Sequence, residues 1–84
     1  MKMIMYSVYD VKAGVYTQPF FDLADGSAER QFKNTVGNAE HPFGRNPEDY
    51  SLCRIGGFDD ANAKVINEDT EVLITGLKRW RRGE

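Results

Sequence analysis

One stretch of this chain is apolar on both sides of an extended backbone, a second alternates with a two-residue period, and a third repeats apolar residues with a helical period. At the N-terminus Ile4, Tyr6 and Val8 fall on one side of an extended backbone, and Met3, Met5, Ser7 and Tyr9 fall on the other. Both sides are largely apolar, which predicts a strand that is central or covered on both faces. Asp10 to Gly14 reads as a turn, with Gly14 free to take a positive φ. Val15 to Phe21 is a second strand, rich in β-branched and aromatic residues. Pro19 has no N–H to give a ladder, so this strand is expected at an edge or broken there. The short connection makes the two strands an antiparallel hairpin.

Asp25 to Gly37 carries the helical signal. Ala28, Phe32 and Val36 recur at i, i+4 and i+8 and form one apolar stripe. Glu29, Arg30, Lys33 and Asn34 are left for solvent. Asp25 is expected to cap the start and Gly37 to close the end in the left-handed conformation. A helix of about three turns is marginal alone, so the stripe must lie on the sheet. Asn38 to Asp49, with Pro42, Gly44 and Pro47, is predicted to be a surface loop.

Tyr50 to Phe58 alternates. The pattern sets Tyr50, Leu52 and Phe58 on one face, and Cys53 and Ile55 on the other. Gly56-Gly57 suggests a bulge or a close backbone approach. Asp59 to Ala63 reads as a turn, Lys64 to Ile66 as the returning strand, and Asn67 to Thr70 as a further turn. Val72 to Leu77 fits a strand best, although Leu73 and Leu77 also suit a short helix. The expectation is therefore α+β: an antiparallel sheet of four to five strands, built from hairpins, with one helix packed on one face. Residues 1–77 form a single domain and 78–84 a basic C-terminal tail. The second apolar face of the first strand then needs cover, which a homodimer would supply.

The chain has 84 residues. That length excludes a two-domain cleft and a large internal substrate cavity. One cysteine, Cys53, and one histidine, His41, exclude an internal disulfide and any Cys-rich zinc site. Neither a signal peptide nor a spanning helix is legible, and the chain reads as cytosolic. Net charge is −2 but unevenly spread: Lys78-Arg79-Trp80-Arg81-Arg82 holds four of the eleven basic residues. An acidic body with a basic run often marks a segment that meets a polyanion.

No phosphate-binding glycine loop and no nucleophile elbow is present. Cys53 lies mid-strand among apolar neighbours, where a thiol behaves as a small hydrophobe. His41 precedes a proline in a loop without metal-ligand spacing, and Asp59-Asp60 reads as turn chemistry. No metal, no cofactor and no catalysis are expected. Trp80 within a cationic run is different, because cations engage phosphates and an indole stacks on unpaired bases. Aromatic strands can also be stacking platforms, although most rings in so small a domain must be core. Tyr9 and Tyr16, flanking the first turn beside Lys12, are the ones expected to be exposed. The candidate nucleic-acid-binding residues are thus Lys78, Arg79, Trp80, Arg81, Arg82, Lys12, Tyr9 and Tyr16.

Several short blocks occur together in one order. They are Met5 to Tyr16 with Pro19-Phe20, Glu40-His41-Pro42-Phe43, Pro47 to Leu52, and Ile55 to Asp60. In these blocks, over about residues 3–66, the chain resembles the small nonstructural protein of gokushoviruses. These are tailless Microviridae phages with circular single-stranded DNA. The resemblance implies a bacteriophage DNA-binding protein of the host cytoplasm, absent from the mature virion. It would act in viral DNA replication, at the switch to single-stranded synthesis and genome packaging. It implies no catalytic residues. The sequence pI of about 5.3 is low for a DNA-binding domain. It suits either a local binding surface for single-stranded DNA or an adaptor that joins the replication initiator or procapsid proteins without strong DNA affinity.

Overall fold

The apolar stretch at the N-terminus builds the central strand. In the computed structural model, which describes residues 2–76, β1 (Lys2–Asp10) is paired along both edges. On one edge it meets β2 (Val15–Tyr16) and β3 (Phe20–Asp22); on the other it meets β4 (Tyr50–Asp59). A long β5 (Lys64–Thr75) pairs with β4 and forms the far edge. All pairings are antiparallel, giving a five-stranded sheet in the order β2-β1-β4-β5, with β3 beside β1. Helix α1 (Asp25–Val36) lies on one face, followed by a short α2 (Pro42–Arg45) and a 3₁₀ turn at Pro47–Asp49. The fold is the expected α+β arrangement.

One core forms between α1 and the sheet. Tyr6, Val8, Ala28, Phe32, Leu52 and Ile74 are buried there, with Ile4, Phe20, Val36, Phe43, Tyr50 and Leu73 packed around them. Burial of apolar surface at about 25 cal/mol per Å² is what holds a helix this short in place. The helix stripe is as predicted, with Ala28 and Phe32 innermost.

The second strand divides where Pro19 was expected to disturb it. β2 and β3 are separate pieces on the same edge of β1. Between them Thr17 fills the gap in the ladder: its N–H donates to Val8 O at 2.9 Å. The Val8 N–H in turn donates to Thr17 Oγ1 at 3.0 Å, and Ser7 Oγ donates to Thr17 O at 2.7 Å.

Five expectations are corrected. Phe58 does not share a face with Leu52. Met5 pairs with Gly56 and Tyr6 with Arg54, so Ile55 is an extra residue in β4. This bulge reverses the alternation and turns Phe58 to the face away from α1. Asn67 to Thr70 is no turn: β5 runs through it, with register shifts that absorb the polar residues as bulges. Asp25 is not the helix cap. Ala24 occupies that position, because the Asp25 carboxylate is engaged by Tyr6 and Arg54. Gly37 ends α1 at φ −80°, right-handed, with its N–H bonded back to Lys33 O. Finally, the 38–49 segment is not a plain surface loop. Phe43 anchors it to the core, its ring centroid 4.4 Å from that of Tyr50 and 6.4 Å from that of Phe32. His41 Nδ1 accepts the Phe43 N–H at 3.1 Å and caps α2.

Candidate nucleic-acid interface

The face of the sheet away from α1 is defined by register. Tyr9 pairs with Tyr16 and Ser51, Ser7 with Cys53, Met5 with Phe21 and Gly56, and Met3 with Phe58. From β5, Val65 pairs with Phe58, Asn67 with Gly56, Val72 with Cys53 and Thr75 with Ser51. None of these paired positions is charged, and neither helix packs there. Four aromatic rings stand on this face in two cross-strand pairs. Tyr9 and Tyr16 have ring centroids 4.8 Å apart, and Phe21 and Phe58 have theirs 5.8 Å apart. Tyr16 is 51% exposed and Phe21 42%.

Tyr9 and Tyr16 therefore stand together beside the turn that carries Lys12; Tyr16 is exposed as expected, whereas Tyr9 is half-buried. The β1–β2 turn is closed by hydrogen bonds to Asp10. Asp10 Oδ1 accepts the N–H groups of Lys12 and Ala13 at 3.0 and 3.2 Å. Gly14, at φ +70°, donates its N–H to Asp10 O at 2.8 Å. Lys12 is thereby presented to solvent at the tip of the hairpin.

Lys78, Arg79, Trp80, Arg81 and Arg82 lie outside the described residues. The structure does place the point from which that run departs. Thr75, Ser51, Tyr9 and Tyr16 form one row across the four strands, so β5 finishes at the same end of the sheet as the tyrosine pair, on the opposite edge. Adjacent strands lie about 4.8 Å apart, which sets Thr75 roughly 10 Å from Tyr9. Gly76 then donates its N–H to Tyr50 O at 2.9 Å. A Cβ on Gly76 would lie 1.9 Å from Pro47 O, so only glycine fits this exit. The basic run begins two residues later.

Phe21 and Phe58 were not singled out as binding residues. The Ile55 bulge decides the face of Phe58, and one extra residue between β2 and β3 decides that of Phe21. Arg54, the cation nearest the middle of the sheet, is committed elsewhere. Its Nη1 donates to Asp25 Oδ2 at 2.5 Å, and its Nη2 donates to Glu71 Oε2. Tyr6 OH donates to the other Asp25 oxygen at 2.7 Å. Burial, then the bond to Asp25, raises the Tyr6 phenol well above its ordinary value. This cluster ties α1 to β1, β4 and β5 and sets the Arg54 charge against two carboxylates.

Cys53 is 1% exposed, and burial pushes its thiol up, away from the reactive thiolate. The sheet separates it from His41, which sits with Phe43 on the α1 side. Among the described residues no cluster of His, Cys, Asp and Glu could hold a metal ion. Among them, no helix is long and apolar enough to cross a membrane.

The fold defines a small α+β domain that presents an uncharged aromatic sheet face with a lysine turn at one end. The chain matches the model of the phage ORF5 protein family over residues 3–80, and it belongs to that family. No curated protein and no solved structure is matched.

Proposed function

We propose that this phage protein binds single-stranded DNA at the end of the sheet that carries Tyr9, Tyr16 and Lys12. Bases would stack on the Tyr9–Tyr16 pair and continue toward Phe21 and Phe58. Phosphates would be met by Lys12 and by Lys78, Arg79, Arg81 and Arg82, with Trp80 as a further stacking ring. The supporting observation is convergence: the Tyr9–Tyr16 pair, the lysine turn and the end of β5 share one end of the sheet. An uncharged face flanked by local cations also answers the low pI. Stacking does not need a basic surface, and the cations need only track the backbone.

Membership of a phage family and the resemblance to gokushovirus nonstructural proteins carry this reading toward viral DNA replication and the switch to packaging, in the host cytoplasm and outside the mature virion. The acidic body favours a second reading, an adaptor that contacts the replication initiator or procapsid proteins. Anisotropy of labelled oligonucleotides separates the two. Single strands should bind more tightly than duplexes, and Tyr16→Ala should weaken single-strand binding by roughly 5- to 100-fold. Equal affinity for both DNA forms, or an unchanged Tyr16→Ala, would remove the stacking role and leave the adaptor reading.

A further inference from the structure

β5 is the exposed edge of the sheet, and its first half is unusual for an edge. It is twelve residues long, and every residue from Lys64 to Thr70 is exposed. Val65 is 60% exposed and Ile66 37%. Among the described residues no strand pairs with its outer side. Edges are commonly blunted by bulges or charge. Here the register shifts begin after Asn67, and Lys64 to Asn67 remains a regular ladder opposite Asp59 to Gly56. Such a segment is a template for another strand.

The sequence of this segment is complementary to itself when read antiparallel. With a two-fold axis through Ile66, Lys64 faces Glu68 of a second copy, Val65 faces Asn67, and Ile66 faces Ile66. Both Lys–Glu pairs form at once, and opposite charges across strands are favourable. Moving the axis to Asn67 sets Val65 against Asp69 and Ile66 against Glu68. Moving it to Glu68 sets like charges together. We infer that two copies of this chain pair through the outer edge of β5, Lys64 to Glu68, about Ile66. The geometry joins the two sheets into one, in the order β2-β1-β4-β5-β5-β4-β1-β2. A two-fold axis through a residue keeps the faces away from α1 on the same side, so the aromatic pairs of both copies stay uncovered. The second copy thus takes the edge and not the aromatic face. Five paired residues form less than a standard interface, so the dimer is weak and concentration-dependent.

The inference does not depend on DNA, and its test contains none. Sedimentation velocity of the whole chain, from low micromolar to submillimolar concentration, should show a monomer–dimer equilibrium. Lys64→Glu and Glu68→Lys, each at an exposed position, should each raise the dissociation constant at least about tenfold, because two attractive pairs become repulsive. The double exchange, Lys64→Glu with Glu68→Lys, should restore it. Mild oxidation of Ile66→Cys should give a covalent dimer, since residues opposite each other lie about 4.5–5.5 Å apart. Val65→Cys should not, since its symmetry mate lies roughly 7–8 Å away. The native Cys53 is buried and does not compete. A monomer throughout, or a dimer indifferent to the single changes or not restored by the exchange, would overturn the inference.

Discussion

At the scale of single residues, charge placement decides what each side chain can do. Arg54 stands between two carboxylates at the edge of the core. Its removal would leave Asp25 and Glu71 close together without a counter-charge. Arg54→Met should cost about 1–3 kcal/mol in denaturant unfolding, less than a fully buried pair would, because all three groups keep some contact with solvent. Tyr6 makes a different statement. Its phenol is held protonated in the folded chain, while in the unfolded chain it ionises near its ordinary value of 10.0. Unfolding therefore releases a proton once pH rises past that value. Stability should be full below about pH 10 and fall as pH climbs above it. Thermal melts across that range should show the decline, and Tyr6→Phe should flatten it while costing about 1 kcal/mol at neutral pH for the lost bond to Asp25. An unchanged alkaline slope in Tyr6→Phe would assign the decline to other groups. Asp25 also shows what the residue scale hides from sequence. Its position before the helix suits a cap, but Tyr6 and Arg54 are distant in sequence and offer its carboxylate two stronger partners.

At the scale of elements, the deepest contact is between α1 and the middle of the sheet. Leu52 is fully buried there. Leu52→Ala should destabilise by about 2–5 kcal/mol, read from urea unfolding. Gly76→Ala tests a different joint. A methyl group there overlaps the Pro47 carbonyl, so the 3₁₀ turn or the end of β5 must shift. A cost of about 1–3 kcal/mol in urea unfolding is expected. The main elements were legible in the sequence because their patterns are clear: the apolar stretch of β1, the two-residue period of β4 and the four-residue recurrence of Ala28, Phe32 and Val36. Two features were not legible, for physical reasons. Asn67 to Thr70 has turn composition, but pairing with β4 overrides local preference and stores the misfit as bulges. The Gly56-Gly57 pair announces a bulge without saying which residue is extra. One residue of uncertainty is enough to exchange the faces of a strand. The candidate site was half legible for the same reason: the tyrosine pair and Lys12 follow from a short hairpin, while Phe58 depends on the bulge and Phe21 on the extra residue between β2 and β3.

At the scale of the whole molecule, the charge distribution and the sheet topology describe one arrangement. The body is acidic, the paired positions of the aromatic face are uncharged, and the Lys12 turn and the end of β5 share one end of the sheet. The sole tryptophan lies within the basic run, so its fluorescence reports directly on that run. The decisive measurement is a titration of Trp80 fluorescence with single- and double-stranded oligonucleotides at several salt concentrations. If four cations of the run meet phosphates, the logarithm of the binding constant should fall with log salt at a slope of about −3. Binding should then weaken by roughly 50-fold between 50 and 200 mM salt. Quenching by single strands with that slope is the predicted result. No quenching, with no shifted complex on a gel at low salt, would contradict DNA binding at this end of the sheet.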